Sequence, residues 1–162
     1  MAGSRQKWLD TLRSFCRGGS LPSDMTTLVD DPAPIVRLCA AGVRWAESGD
    51  ATLAGWAAAE AIRSGERDAV IYGCHLLTEL GSAAGDIVPL VWEYLRHPDT
   101  TVRGNAAFAV CKCCADKRVL AEAANLAEAQ PGSTDGLVVY AVHRLRSAAA
   151  AEPDAAPDTG RT

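Results

Sequence analysis

Four stretches of this chain repeat one helical core pattern at a nearly constant interval. Each stretch contains a valine, and the four valines (Val36, Val70, Val102 and Val138) are 34, 32 and 36 residues apart. Small or apolar residues occupy nearly all positions three, four and seven residues after each valine, which lie on one side of an α-helix. A helical face that recurs every 30 to 40 residues, roughly, predicts stacked helical pairs in which each pair contacts only its neighbours.

Glycine and aspartate residues separate the predicted helices. Gly49 and Gly65 are expected to end helices, because glycine adopts the left-handed conformation that follows a helix. Asp50 and Asp116 are expected to begin helices, because a carboxylate accepts hydrogen bonds from the free N–H groups of the first turn. The predicted helices cover residues 7–16, 23–29, 35–47, 51–63, 67–80, 87–96, 101–114, 117–129 and 135–148. We expect one helical domain over residues 1–148 and a disordered tail over residues 149–162.

The composition fits an all-α protein. Hydrophobic residues make up 48% of the chain but aromatic residues only 6%, so the core must consist mainly of alanine, leucine and valine. The 16 basic and 20 acidic residues give a formal net charge of −4. A weakly acidic domain makes nucleic acid an unlikely partner, because neutralising phosphates needs a basic excess.

The cysteines and the apolar runs predict a cytoplasmic protein without metal or cofactor. The first fifteen residues lack the apolar stretch of a signal peptide, and no apolar run has the length of a membrane span. The six cysteines are then expected to be reduced. Cys111, Cys113 and Cys114 fall in one helix without a second pair of cysteines or histidines, which does not fit a structural zinc site. We expect small hydrophobic side chains, with a redox or metal role as the weaker alternative.

Two of the four repeats carry a fuller motif. The sequences DPAPIVR at 31–37 and HPDTTVR at 97–103 each lead through a turn into a Val-Arg pair, and a pair of alanines follows. This pattern resembles the HEAT repeat (HEAT/armadillo-like) over residues 20–147, although Ile71 and Val139 replace the arginine in the second and fourth units. The resemblance implies a short right-handed α-solenoid of about four antiparallel helix pairs, whose second helices line a concave ligand surface.

The second helices supply the candidate binding residues. Two and five residues after their valines, the second and fourth units both carry a tyrosine and a histidine, on a side that should face away from the core. Basic residues and one tryptophan occupy similar faces, and tyrosine, tryptophan and arginine are frequent at the centres of interfaces. The alternatives are that these positions merely reflect duplicated sequence, or that the rings are half-buried and cover small side chains. The expected binding residues are Tyr72, His75, Tyr140, His143, Arg44, Lys112, Arg144 and Trp45.

Other conspicuous residues have structural interpretations. Arg37 and Arg103 are each expected to pair with the aspartate of their own turn. Trp56 and Trp92 fall in first helices and are expected to pack between neighbouring repeats. Trp8 is expected to cover the N-terminal end of the stack, because terminal repeats need a cap.

No catalytic motif is present in the sequence. It lacks the Gly-rich dinucleotide loop, the phosphate-binding loop with Lys-Ser/Thr, the zinc-protease helix and the nucleophile elbow. We therefore expect a non-enzymatic module that binds a partner protein or peptide on its concave face, as an adaptor, scaffold or immunity protein. The alternatives are an enzyme on a HEAT-like scaffold, similar to alkylpurine DNA glycosylases or bilin lyases, and a structural protein that forms homo-oligomers.

Overall fold

The computed structural model describes residues 2–15 and 25–151, and within these ranges it contains helices and no strand. The expected all-helical fold is therefore confirmed for the described residues. The α-helices are α1 (Ala2–Phe15), α2 (Pro34–Ser48), α3 (Ala51–Arg63), α4 (Arg67–Leu80), α5 (Val88–Val91), α6 (Thr100–Cys113), α7 (Lys117–Glu128) and α8 (Gly136–Ala150). Three segments are 3-10 helices, Met25–Asp30, Gly81–Ile87 and Trp92–Arg96.

The largest departure from the predicted helices lies between residues 81 and 96. A single helix was expected over 87–96, but only the four residues of α5 are α-helical, and 3-10 turns flank them on both sides. Pro89, in the first turn of α5, lacks the N–H that a continuous helix would use. The helix α8 runs to Ala150, two residues further than predicted, because alanine is the best helix former. The predicted helix end at residue 16, the helix start at residues 23 and 24 and most of the tail, residues 152–162, lie outside the described residues.

Aspartate caps start four of the longer helices, and two of these caps, Asp50 and Asp116, are those that the sequence predicts. The carboxylate of Asp50 accepts a hydrogen bond from the N–H of Thr52 (2.8 Å), and Asp99, Asp116 and Asp135 cap α6, α7 and α8 in the same way. Gly49 ends α2 with a φ of 76°, in the left-handed region that glycine adopts without steric cost. The residue types at these helix ends therefore set where the chain turns.

The helices pack in two layers that follow the order of the chain. In one layer α2, α4, α6 and α8 each contact the next, and in the other α3 and α7 contact the segment 81–96. The four repeated valines are at most 6% exposed, and most of the core around them is alanine, leucine and valine. The repeating helical face is thus the buried face of the second helices, as the spacing predicts.

Helix α1 lies on the layer of second helices. Its main contact is α2, where the indole of Trp8 covers Gly42, and both Trp8 and Leu12 are fully buried. The Trp8 Nε1–H donates to Glu79 Oε2 of α4 (3.1 Å), so the tryptophan spans two second helices instead of covering the end of the stack. The ring of Phe15, at the other end of α1, meets the ring of Tyr72 edge-on at 5.8 Å. These contacts place α1 antiparallel to α4.

The prediction that Arg37 and Arg103 pair with the aspartates of their own turns is wrong. Arg103 is fully buried and donates to two carbonyl oxygens, those of His97 (2.6 Å) and Pro131 (2.8 Å). Arg37 likewise donates to the carbonyl of Asp31 in its turn (2.6 Å) and forms its ion pair with a glutamate of α3 (3.1 Å). Each arginine therefore holds the backbone of its turn.

The carboxylate of Asp99 is occupied by other donors, which explains the error. It accepts hydrogen bonds from the N–H groups of Thr101 and Val102, and from Nε of Arg67 at 2.7 Å. The hydrogen bond from Arg67, with those from the two N–H groups, holds the pKa of Asp99 below its usual value. An aspartate at a helix N-cap is thus unavailable to the arginine four residues later.

The two tryptophans that were predicted to lie in first helices, Trp56 and Trp92, differ in burial. Trp56 is 51% exposed, so the prediction that it packs between repeats is wrong. The buried side of α3 consists of alanines such as Ala54, Ala58 and Ala61, and Trp56 lies away from it. Trp92 is half-buried against the core, as expected.

The cysteines of the core are neutral thiols. Burial raises the pKa of Cys74 to about 12 and that of Cys113 to about 11, so both are protonated at neutral pH and pack as small hydrophobic side chains. No group of three or more potential metal ligands occurs among the described residues. None of the described helices is long and apolar enough to cross a membrane.

Candidate interaction surface

The candidate surface is the side of α2, α4, α6 and α8 on which α1 lies, here named the second-helix face. Helix α1 covers its N-terminal part, over α2 and α4. The part formed by α6 and α8, together with the adjacent edge of α4, is open in the described structure. The residues expected to bind a partner divide between these two parts and other regions of the surface.

Tyr72 and His75 lie at the edge of α1. Both are half-buried, and their ring centroids are 5.9 Å apart. Burial lowers the pKa of His75, the positive charge of Lys7 lowers it further, and the carboxylate of Glu79 opposes both. The imidazole is therefore neutral at pH 7, and it supplies a polar but uncharged edge to the surface.

Tyr140 lies on the open part, where it forms an aromatic pair that the sequence analysis missed. Its side chain is 54% exposed, and its ring centroid is 5.2 Å from that of Phe108 on α6. One turn earlier, Leu137 of α8 packs so closely on Gly104 of α6 that a Cβ there would come within 2.5 Å of the leucine. The two parallel helices are thus in register, which sets the two rings side by side.

Two exposed cations follow the aromatic pair at the same helical spacing. Lys112 is four residues after Phe108 on α6, and Arg144 is four residues after Tyr140 on α8, so each cation is one turn beyond a ring. Burial raises the pKa of the half-buried Cys111 thiol, and the positive charges of Arg144 and Lys112 oppose this rise. This i, i+4 spacing from Lys112 is the sequence signal that would have identified Phe108.

A cleft of about 300 Å³ joins the two parts of the face. His75 and Phe108 lie on opposite helices of this cleft, so the Tyr72–His75 pair and the Phe108–Tyr140 pair border one continuous surface. Its lining combines apolar and polar groups, from Lys7, His75, Thr78, Glu79, Asn105, Phe108 and Leu137. The arrangement is suited to holding one apolar side chain of a ligand beside hydrogen-bonding groups.

Three of the expected binding residues lie apart from this surface or are less accessible. His143 lines a different groove, of about 500 Å³, together with Val139 and Arg146 on the outer side of α8. The equivalent position in α4, His75, faces the following second helix, and no described helix follows α8. Arg44 is exposed and near Asp50, and Trp45 is half-buried against the core.

Comparison with known proteins agrees with the repeat pattern. The sequence model of the HEAT repeat family matches residues 87–116, which include the HPDTTVR motif and the whole of α6. This part of the chain is therefore similar to a HEAT repeat. HEAT repeats commonly mediate interactions between proteins, and the family is generally non-enzymatic. No curated protein and no solved structure matches the chain.

Proposed function

We propose that this protein is a non-enzymatic interaction module, a short right-handed α-solenoid of about four helix pairs, that binds a partner protein or peptide on the open part of its second-helix face. The observation that carries the proposal is the row formed by Phe108, Tyr140, Lys112 and Arg144 beside the cleft. An adaptor, a scaffold and an immunity-type protein in the cytoplasm would all use such a surface.

The residue types in this row support binding. Aromatic rings and arginine contribute much of the energy of protein interfaces. Aromatic rings bury large areas at a small cost in side-chain entropy, and the planar guanidinium of arginine donates several hydrogen bonds. Tyr140 exposes 54% of its surface although its ring packs on Phe108, so the pair is both ordered and accessible. A preformed aromatic pair reduces the entropy that binding costs.

The cleft itself favours binding over catalysis. Its titratable groups are Lys7, His75 and Glu79. The Glu79 carboxylate already pairs with Lys7 and accepts the hydrogen bond from Trp8, so it is held by the structural contacts of α1. A carboxylate held in this way is a poor general base, and no second carboxylate among the described residues lines the cleft to act together with the imidazole of His75, which supports a non-enzymatic module over the enzyme alternative.

One observation favours a second candidate function, self-association. Val139 is 51% exposed on the outer side of α8, beside the groove of about 500 Å³, and an exposed apolar side chain at the last described helix is a candidate contact between copies. Light scattering of the wild type and of Val139→Asp tests this function. A dimer that the variant loses would support self-association, and a monomeric wild type would contradict it.

Affinity capture from a lysate of the native host tests the main proposal. The bait proteins are the wild type, the double variant Phe108→Ala/Tyr140→Ala, and Trp56→Ala as a matched control. Trp56 is 51% exposed, close to the 54% of Tyr140, but it lies on a first helix. We expect a protein that the wild type and the control retain and the double variant loses. Equal capture by all three, with the double variant folded by circular dichroism, would refute the proposed surface.

A further inference from the structure

Helix α1 shows what kind of ligand the second-helix face accepts. Its apolar residues Trp8, Leu12 and Phe15 follow one another at helical spacing and pack against α2 and α4, while its charged residues stay exposed. An ion pair between Lys7 and Glu79 accompanies this packing. A second ion pair joins Arg5 to Glu47 of α2. The face therefore holds an amphipathic helix that runs antiparallel to α4, with two ion pairs beside the apolar contact.

The open part of the second-helix face is positively charged, whereas the part under α1 presents carboxylates to α1. Helices α6 and α8 contain no aspartate or glutamate, although the whole chain has a net charge of −4. Lys112 and Arg144 are exposed there, and neither forms an ion pair within the described residues. Two unpaired cations one turn beyond an exposed aromatic pair leave positive potential beside an apolar contact site.

Resting on the proposed function, we propose that the segment bound here is an acidic amphipathic helix. Its apolar side chains pack on Phe108 and Tyr140 and enter the cleft, and its carboxylates face Lys112 and Arg144. Charge complementarity determines this choice, because a basic segment would place like charges together on a surface that holds no carboxylate of α6 or α8. Where α1 packs, cations of the bound helix face carboxylates of the second-helix face. At the open part the carboxylates would belong to the bound helix and the cations to the face.

Selection from a phage-displayed library of random 14-residue peptides, the length of α1, tests the inference. The library is selected on immobilised wild type and counter-selected on Lys112→Glu/Arg144→Glu. The double variant Lys117→Glu/Arg118→Glu, which reverses two exposed charges on α7, is the matched control. Peptides that survive are synthesised, and their Kd values are measured by fluorescence anisotropy at low and high salt.

We expect the surviving peptides to be enriched in aspartate and glutamate relative to the starting library. Their Kd should rise about tenfold or more on Lys112→Glu/Arg144→Glu, rise with salt, and stay unchanged on the α7 control. Enrichment of neutral or basic peptides that Phe108→Ala/Tyr140→Ala abolishes would overturn the acidic chemistry while leaving the proposed binding surface intact. The absence of any peptide that depends on Phe108 and Tyr140 would overturn both.

Discussion

The close contact between Trp8 of α1 and Gly42 of α2 gives the sharpest test of how the N-terminal helix packs. A Cβ added at Gly42 would come within 2.7 Å of Cδ2 and 2.9 Å of Cγ of the indole. Trp8 is fully buried and hydrogen-bonded to Glu79, so its ring has no free space into which to move. Overpacking of this kind costs about 1–3 kcal/mol, and the higher helix propensity of alanine returns up to about 1 kcal/mol. We therefore expect Gly42→Ala to lower the free energy of unfolding by about 1–2 kcal/mol.

Urea denaturation followed by circular dichroism measures this change, with Gly55→Ala as the matched control. Gly55 is also inside a helix, but the nearest side-chain atom to its added Cβ is Cδ1 of Ile87 at 3.4 Å, an ordinary contact. There the propensity gain is unopposed, so Gly55→Ala should stabilise the protein by up to about 1 kcal/mol. The two glycine substitutions should thus have opposite signs.

Repeating the Gly42→Ala substitution in a Trp8→Ala protein tests whether contact with Trp8 causes the loss of stability. Trp8→Ala alone should cost about 3–5 kcal/mol, as large core deletions do. In that background Gly42→Ala meets no indole, and it should become stabilising. If Gly42→Ala instead stabilises the wild-type protein as Gly55→Ala does, then α1 is not seated on α2 in solution, and the argument from its packing is refuted.

Two further predictions concern a buried charge and a titrating group. Arg103→Ala should cost about 2–4 kcal/mol, because it removes a fully buried side chain and leaves the carbonyl oxygens of His97 and Pro131 without their donor. Arg37→Ala should cost less, since Arg37 is only half-buried. Urea denaturation of both variants measures the difference, and equal losses would contradict it. Burial holds the pKa of His75 in the folded protein below its usual value of 6.5, so the unfolded chain binds the proton more tightly and the free energy of unfolding should fall as the pH drops below 6.5. His75→Gln should flatten this fall, and an unchanged pH profile would show that His75 does not contribute to it.

The repeat architecture was predictable because its signals are local. The repeated valines and the small residues around them mark a buried helical face, and capping residues such as Asp50 and Gly49 act on atoms only a few positions away. Such features depend on helix periodicity and backbone hydrogen bonds, which short segments already specify. The same reasoning failed over residues 81–96, where Pro89 and the 3-10 turns replace a regular helix.

The candidate site was only partly predictable, because its residues come from different helices. Equal spacing from the repeated valines grouped Tyr140 with His143, as it groups Tyr72 with His75 in α4. In α8, however, no described helix follows to pack beside His143, so it lines the outer groove while Tyr140 packs on Phe108. Phe108 escaped notice because its importance comes from the ring of Tyr140 across the helix pair. Register between α6 and α8, set by Leu137 on Gly104, is a tertiary property.

By itself, the sequence determined that the chain forms helices, where most of them begin and end, and which stripe of each is buried, since these depend on side-chain periodicity and on the hydrogen-bonding needs of helix ends. Tertiary structure alone decided that α1 lies across the second helices and that Arg103 reaches the carbonyl of Pro131, 28 residues away. It also set α6 and α8 in register, which brings Lys112 and Arg144, each one turn beyond an aromatic ring, to the same end of the helix pair. Amphipathic helices can pack in several places, and the choice between them depends on shape, such as the space that Gly42 leaves for an indole.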